Sequence, residues 1–203
     1  MFVLTIDQVD SRETPDAVSS VLDELNGDPR HALPLPAERT AGDEFQLMTM
    51  AAETVLDIVL HLGRSERWSI GCGVGPVRSP LPSSIRAAAG DAFVFARTAV
   101  DRAKRKPTRF AVEGESTDAA DAESLIDLLL ILRSRRTAEG WELYDLVNSG
   151  LTQADAAERL GITPQAASAR AQAADLKAEF AVTAALGRVL DKLDAPYREE
   201  VEP

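Results

Sequence analysis

The chain has 203 residues, of which 45% are hydrophobic and 27% charged, and its net charge is −11. These values are typical of a soluble globular protein with one large or two small domains, and the acidic excess opposes binding to phosphate backbones. The single cysteine, Cys72, excludes disulfides and argues against a metal–thiolate centre. Neither an apolar run of the ~20 residues that span a bilayer nor a charged-then-apolar leader is present, so we expect a cytoplasmic protein without a membrane partner.

Strands and helices alternate over the first 113 residues. An apolar run at residues 2–7 predicts a strand, and Thr14 as cap followed by Pro15 predicts a helix that ends at Asn26-Gly27. A proline-containing strand then leads to a turn at Gly42-Asp43, because glycine tolerates the positive φ of hairpin turns. The later predicted elements are a strand at 44–50, a helix at 51–64, a strand at 68–77, helices at 83–89 and 90–106, and a strand at 108–112.

This order predicts an α+β fold with a split βαβ, ferredoxin-like core that is extended by a helix and a strand. Gly71, Gly73 and Gly75 alternate along one strand, which indicates that another backbone or a ligand approaches it closely. The polar stretch 114–118 predicts a domain boundary, so we assign residues 1–113 to the α+β domain and residues 114–203 to an all-α domain. The predicted helices of the all-α domain span 119–136, 138–148, 153–160, 164–174 and 176–193.

Two carboxylates are candidates for a metal site. Asp7 ends the first predicted strand and Asp43 lies at the tip of the predicted hairpin. If the first strand lies beside this hairpin, the two side chains come close together, and such oxygen ligands suit Mg²⁺ with a nucleotide phosphate. The alternative is that Asp7 and Asp43 only cap and turn the chain.

Three segments, in this order, resemble one family pattern. Residues 6–12, Ile-Asp-Gln-Val-Asp-Ser-Arg, resemble the strand-one motif of class III nucleotidyl cyclases. Gly-Asp-Glu-Phe at 42–45 resembles the hairpin of those cyclases and of GGDEF diguanylate cyclases. Residues 70–77 and 90–97 resemble the glycine-rich strand and the helix that follows it. The whole arrangement is closer still to the SatD-like bacterial proteins, in which a cyclase-like palm precedes a helix-turn-helix.

The resemblance implies a ferredoxin-like, nucleotidyl-cyclase-type palm followed by an all-α helix-turn-helix domain. It also implies that Asp7 and Asp43 hold divalent metals, Mg²⁺ or Mn²⁺, which bind a nucleotide triphosphate with help from a backbone carbonyl near Gln8. The residues expected to contact the nucleotide are Gln8, Asp10, Ser11, Gly42 and Glu44.

Catalysis is not expected, because the positions that stabilise the transition state in cyclases differ here. Val94 stands where cyclases have an asparagine, and Thr98 stands where they have an arginine, with Arg97 one residue early. No lysine–aspartate pair that would recognise a purine is evident. An electrostatic stabiliser contributes a few kcal/mol to catalysis, so its loss favours a palm that binds a nucleotide or is structural.

Residues 151–170 predict a helix-turn-helix. Thr152 caps the first helix, Gly161 makes the turn, and Thr163 caps the second helix with Pro164 in its first turn. The pattern resembles the promoter-reading helices of sigma factors and of many bacterial regulators, so double-stranded DNA is the expected partner. Its predicted contacts are Thr163, Gln165, Ser168, Ala169, Arg170 and Gln172 in the major groove, and Arg135 and Arg136, with Arg133, on the backbone.

The alternative for this motif is a unit that only packs or binds a protein partner, and the acidic balance favours that alternative. A stripe along the last helix predicts either a homodimer seam or burial within the chain: Leu176, Phe180, Thr183, Gly187, Leu190 and Leu193. We therefore expect a bacterial DNA-binding regulator with a degenerate palm. The competing hypotheses are an active metal-dependent cyclase that carries a helix-turn-helix, and a non-catalytic protein–protein adaptor.

Overall fold

The computed structural model describes residues 1–198, and the last five residues of the predicted all-α domain lie outside the described part. Within residues 1–198 the protein is a mixed α+β structure with one five-stranded mixed sheet and eight α-helices, which confirms the predicted α+β class. None of the helices in this part combines the length and the apolar composition that crossing a membrane requires.

The strands and the first helices follow the predicted order closely. They are β1 (Phe2–Gln8), α1 (Val18–Gly27), β2 (Glu38–Ala41), β3 (Glu44–Thr49), α2 (Ala52–Leu62), β4 (Trp68–Val74), α3 (Asp91–Ala103) and β5 (Phe110–Gly114). The helical remainder comprises α4 (Asp118–Ser134), α5 (Ala138–Asn148), α6 (Gln153–Arg159), α7 (Pro164–Ala173) and α8 (Leu176–Arg198). The helix predicted at 83–89 is only a short 3-10 helix, Ile85–Ala87.

The first helix begins later than its sequence predicts. Thr14 is not its cap, because α1 starts at Val18 and the residue before it, Ala17, makes no side-chain cap. The Gln8 amide nitrogen instead donates to the Thr14 hydroxyl over 2.9 Å and to the Pro15 carbonyl over 2.8 Å. A buried side chain from β1 therefore holds this segment in a non-helical connection.

The sheet has the strand order β2-β3-β1-β4-β5. β1 lies at the centre and pairs antiparallel with both β3 and β4, whereas β4 and β5 are parallel. In this register Asp7 lies opposite Glu44 on one side and opposite Ser69 on the other. The end of β1 is therefore enclosed by the β2–β3 hairpin and by the start of β4.

α3 packs so closely on β4 that glycine is required there. A Cβ atom added to Gly71 would lie 2.1 Å from the backbone nitrogen of Val100, and one added to Gly73 would lie 2.0 Å from the carbonyl oxygen of Ala92. The close approach predicted from the alternating glycines is therefore confirmed at these two positions, and the approaching group is the backbone of α3.

The chain forms two compact units. Among the described residues, the first unit contains 1–127 and 186–198, and the second unit contains 128–185. The division falls inside α4 rather than at the polar stretch 114–118. Charged contacts explain this position, since Glu123 and Asp127 of α4 pair with Lys106, which follows α3. The first part of α4 is thereby held to the sheet-containing unit.

Candidate functional site

A charged depression lies in the first unit where β1 ends. Its volume is about 490 Å³. It brings together five of the residues predicted to bind a metal or a nucleotide: Asp7, Gln8, Asp10, Ser11 and Asp43. Sequence reasoning did not predict the six other lining residues. Three of these lie close to β1 in sequence, namely Val9, Arg12 and Glu13, whereas Ser69, Lys104 and Arg109 reach the depression from the start of β4 and from the segment after α3.

Backbone geometry positions the hairpin tip beside β1. Gly42 has φ +54, a conformation that glycine adopts without strain. The Gln8 backbone N–H donates to the Asp43 carbonyl over 3.1 Å, and the Ser11 hydroxyl donates to Asp43 Oδ2. The Gln8 backbone N–H and the Ser11 hydroxyl therefore orient Asp43 at the end of β1. This position agrees with the predicted proximity of Asp43 to Asp7.

Asp7 already has a cationic neighbour. The Lys104 ammonium lies 3.1 Å from Asp7 Oδ2, and the Asp7 side chain is 18% exposed. Asp10 and Arg109, which line the same depression, both have φ +51. A non-glycine residue in this region costs of order 1 kcal/mol, and such strain concentrates at functional sites.

The lining of the depression carries charges of both signs. Four carboxylates and three cations contribute to it: Asp7, Asp10, Glu13, Asp43, and Arg12, Lys104, Arg109. Carboxylate oxygens are ligands for Mg²⁺ or Mn²⁺, whereas lysine and arginine attract phosphate oxygens. The lining therefore has the groups needed for a phosphate-bearing ligand together with a divalent cation.

The Gln8 side chain forms its hydrogen bonds with other residues of the chain and is not free to bind a nucleotide. Its amide nitrogen donates to Thr14 and Pro15, and its amide oxygen accepts from the Ala17 backbone N–H over 2.9 Å. The side chain is thus committed to the connection between β1 and α1. The predicted contribution of Gln8 is limited to its backbone.

The predicted contact between Glu44 and a nucleotide does not agree with the surroundings of Glu44 in the structure. Glu44 is buried, and its two carboxylate oxygens accept from Arg97 over 2.6 and 2.9 Å. The Thr40 hydroxyl donates to the same carboxylate over 2.7 Å. Neither Glu44 nor Gly42 lines the depression. The ion pair of Glu44 with Arg97 connects the β2–β3 hairpin to α3, and Gly42 forms the turn of this hairpin.

In the second unit, α6 and α7 form a capped helix pair. The Thr152 hydroxyl accepts from the Asp155 backbone N–H and the Thr163 hydroxyl from the Ala166 backbone N–H, each over 3.2 Å, as their positions predict. Gly161 between them has φ +65. Small residues let the helices meet in a shared core that contains Leu143, Ala156, Ala157, Ala167, Ala174 and Leu176.

One face of α7 is exposed. Four of the residues predicted to contact DNA lie on it, namely Gln165, Ser168, Ala169 and Gln172. Arg170 is less accessible, with its side chain 30% exposed and its Nη1 atom 3.6 Å from Glu142 Oε2. Hydrogen-bonding side chains on the exposed face of a second helix are the arrangement that reads base edges in a major groove.

The arginine cluster before α5 divides into buried and exposed members. Arg135 is exposed, whereas the side chains of Arg133 and Arg136 are 4% and 1% exposed. Both buried guanidinium groups pair with the buried carboxylate of Glu179. The predicted DNA contacts of Arg136 and Arg133 therefore do not agree with the structure, because both side chains are buried.

Aromatic rings complete the surroundings of these two arginines. The Arg136 guanidinium lies 4.5 Å from the Trp141 ring centroid, and the Arg133 guanidinium lies 5.0 Å from that of Tyr144. Cation–π attraction strengthens when the cation is desolvated, as it is here. The cluster thus contributes to the core of the second unit.

The stripe along α8 is largely internal. Leu176 belongs to the core of the second unit, and Leu190 and Leu193 are buried in the first unit. Phe180 is 37% exposed and stacks on Tyr144 with ring centroids 5.9 Å apart. The leucines are therefore not available as a dimer seam, whereas Phe180 stays exposed, and the homodimer remains a prediction.

Comparisons of this chain with protein-family models, with curated proteins and with solved structures find no match.

Proposed function

We propose that this protein is a DNA-binding transcriptional regulator whose first unit is a nucleotidyl-cyclase-type palm that binds a nucleotide without turning it over. The observation that carries the DNA-binding part is the exposed face of α7, with Gln165, Ser168 and Gln172 above a core made of small residues. The capped α6, the turn at Gly161 and the capped α7 support assignment of this pair as a helix-turn-helix.

The palm assignment draws on topology and on the depression. The antiparallel order β2-β3-β1-β4 with helices between its strands is that of a ferredoxin-like core, and β5 extends it. Asp7 and Asp43 line one depression with Lys104 and Arg109. A nucleoside triphosphate with Mg²⁺ or Mn²⁺ suits these groups, because the carboxylates bind the ion and the cations bind phosphate oxygens.

The second unit offers few exposed cations to the phosphate backbone of DNA. Arg135, Arg159 and Lys177 are exposed cations of this unit. If all three contact phosphates, the logarithm of the association constant falls with the logarithm of salt concentration with a slope of about −3. Nonspecific binding is then weak, so contacts from the α7 face to the bases supply the discrimination between sites.

Selection from a random duplex library, followed by fluorescence anisotropy on the enriched sequence, tests the DNA-binding proposal. We expect Arg170→Ala to lose the preference for that sequence while its circular dichroism stays unchanged. Lys177→Ala is the matched control, since it removes an exposed charge outside α7 and should weaken all duplexes equally. A wild-type protein that enriches no sequence would contradict the proposal.

A thermal-shift experiment tests nucleotide binding separately. With Mn²⁺ and ATP or GTP at 100 times the dissociation constant, a ligand that binds only the folded state stabilises it by about 2.7 kcal/mol, or roughly 5–10 °C. We expect Asp7→Asn/Asp43→Asn to lose this shift. The control Asp23→Asn/Asp101→Asn removes two exposed carboxylates elsewhere in the first unit and should keep it. Equal shifts in both double variants would mean that Asp7 and Asp43 only shape the turn.

An active cyclase is the second candidate, and the proximity of Asp7 and Asp43 to one depression favours it. Two observations weigh against turnover. Val94, at the position of the family's asparagine, is an apolar side chain that is 63% exposed. Arg97, the nearest replacement for the family's arginine, is held by Glu44 and does not line the depression. The regulator is therefore the better-supported proposal.

A further inference from the structure

A second group of ligand-bearing side chains lies in the first unit. Asp28 and His31 belong to the connection between α1 and β2, and Asp57 lies on α2. One potential ligand atom from each side chain lies within 4.8 Å of the others. We propose that these three residues bind a divalent transition-metal ion, Zn²⁺ or an ion of similar preference. This proposal is independent of nucleotide and DNA binding.

The surroundings of the His31 ring point to a cation at this position. The ring is buried, with 6% of the side chain exposed. Its Nδ1 atom lies 3.2 Å from the Leu25 carbonyl oxygen, so Nδ1 carries the proton and donates it to that oxygen. When the ring is neutral, Nε2 is unprotonated and its lone pair faces Asp57 Oδ2 at 2.9 Å.

Two acceptors that face each other need a positive charge between them. Between His31 Nε2 and the Asp57 carboxylate, the positive charge is either a second proton on the imidazole ring or a metal ion. A backbone carbonyl that fixes the other ring nitrogen is the usual second contact of a metal-binding histidine, because it selects the tautomer and orients the ring. The Leu25 carbonyl supplies this contact here.

The donor set suits a borderline metal ion. Imidazole nitrogen and carboxylate oxygen both bind Zn²⁺ at about 2.0–2.2 Å, and a tetrahedral site then separates its ligand atoms by about 3.3 Å. The 2.9 Å between Nε2 and Oδ2 opens to that value with a small movement of Asp57. The Asp57 side chain is 40% exposed and that of Asp28 is 19% exposed, so an ion and a fourth, water ligand have access.

Arg30 is the competing cation at this site. Its Nε atom lies 3.0 Å from Asp28 Oδ1, and its Nη2 atom lies 3.7 Å from Asp57 Oδ2. Its Nη2 atom also donates to Asp28 Oδ2 over 2.5 Å, so both oxygens of this carboxylate accept from the Arg30 guanidinium. The Arg30 side chain is 67% exposed and can rotate into solvent when a metal ion arrives. A carboxylate also has enough lone pairs to accept from Arg30 and to bind an ion.

A bound ion would join the α1–β2 connection to α2. Its role would be structural, since all three ligands belong to the scaffold around the sheet and Asp57 lies 26 residues after His31. Metal binding to a site that exists only in the folded state contributes its binding free energy to folding. The proposal therefore predicts that Zn²⁺ raises the melting temperature of the protein in the absence of nucleotide.

Zinc titration of the chelator-treated 203-residue chain tests this site. By isothermal titration calorimetry we expect one Zn²⁺ per chain at the cluster, and Co²⁺ should give the visible absorption bands of a tetrahedral site with a nitrogen ligand. His31→Gln and Asp57→Asn should each weaken Zn²⁺ binding by about tenfold or more. Asp57 is partly exposed, so its variant remains informative if the substitution of buried His31 disturbs folding.

The chain offers a matched control, because His61 is its other histidine. His61 is 51% exposed and pairs with Glu24 at 3.1 Å, so His61→Gln should leave the Zn²⁺ affinity unchanged. The Asp7→Asn/Asp43→Asn variant should also keep the site, which separates it from the depression. Absence of zinc binding, or equal binding by wild type, His31→Gln and Asp57→Asn, would overturn the proposal and leave a proton between His31 and Asp57.

Discussion

The Lys104 ammonium lies 3.1 Å from the Asp7 carboxylate, so the carboxylate expected to bind a metal already has a positively charged partner. Lys104 directly follows α3, whose close packing on β4 carries it to the end of β1. A lysine in this position has two consequences. It competes with a metal ion for Asp7, and it offers a donor to the phosphate of a ligand.

The first prediction concerns this competition. Lys104→Met should tighten the binding of Mn²⁺ alone by up to about fivefold, because a partly exposed ion pair contributes roughly 0.2–1 kcal/mol. Electron paramagnetic resonance of free Mn²⁺ measures the affinity directly. Arg105→Met is the matched control, since Arg105 is an exposed neighbouring cation that does not line the depression. The same increase in both variants would mean that net charge, and not the Lys104–Asp7 contact, governs binding.

The second prediction separates binding from catalysis. We expect no cyclic nucleotide above background when the purified protein is incubated with ATP or GTP and Mn²⁺, because Arg97 is engaged by Glu44 and Val94 offers no polar group. Liquid chromatography with mass spectrometry detects the product. Product formation that is lost in Asp43→Asn would instead identify an enzyme, and α6 and α7 would then belong to an output or targeting module.

The third prediction tests the packing of α3 on β4. Gly73→Ala should destabilise the protein by about 3 kcal/mol or more, because its Cβ would lie 2.0 Å from a backbone oxygen that cannot move independently. Gly187→Ala is the control in α8, where an added Cβ meets no atom within 4 Å. It should stabilise by about 0.5–1 kcal/mol, as alanine does in a helix. Urea unfolding measures both, and a neutral Gly73→Ala would refute the close contact.

The fourth prediction concerns Glu123, which links α4 to the sheet. Its carboxylate accepts from Lys106 Nζ over 2.6 Å and from the Val112 backbone N–H over 2.7 Å. Burial opposes ionisation, but these hydrogen bonds and the nearby charges of Lys106 and Arg102 outweigh it and lower the pKa of Glu123. A lowered pKa in the folded state means that the ionised form stabilises the protein above the unfolded pKa, about 4.3, and that this contribution disappears as the pH falls.

Glu123→Gln should therefore cost about 1–2 kcal/mol of unfolding free energy at pH 7, and less at pH 4, where the carboxyl group of the unfolded chain is already partly protonated. The glutamine oxygen can still accept from Val112, whereas the glutamine amide nitrogen cannot accept from Lys106. Glu115→Gln is the control, because Glu115 is exposed just before α4. Urea unfolding at both pH values measures the differences. A cost that is the same at pH 4 and pH 7 would show that the Glu123 charge does not stabilise the fold.

Much of the secondary structure follows from the sequence because its signals are local. Thr152 and Thr163 cap helices through backbone groups three residues away, and Gly42 and Gly161 supply the positive φ that their turns need. The start of α1 is the instructive exception. Thr14 and Pro15 carry the sequence signal of a helix start, but the Gln8 side chain from the neighbouring strand holds them outside the helix.

What the sequence determined by itself is the order of strands and helices and the glycines that mark a close approach to β4. That β1 lies beside the hairpin, which brings Asp7 near Asp43, and that the approaching group is α3, came from the tertiary structure. The tertiary structure decided which charged side chains line the depression and which are buried or paired elsewhere. Lys104 and Arg109 join the depression, Arg136 is buried beside Glu179, and His31 faces Asp57. Backbone signals act within a few residues, whereas the free energy of a charge depends on its burial and on partners far away in the chain, which local sequence does not specify.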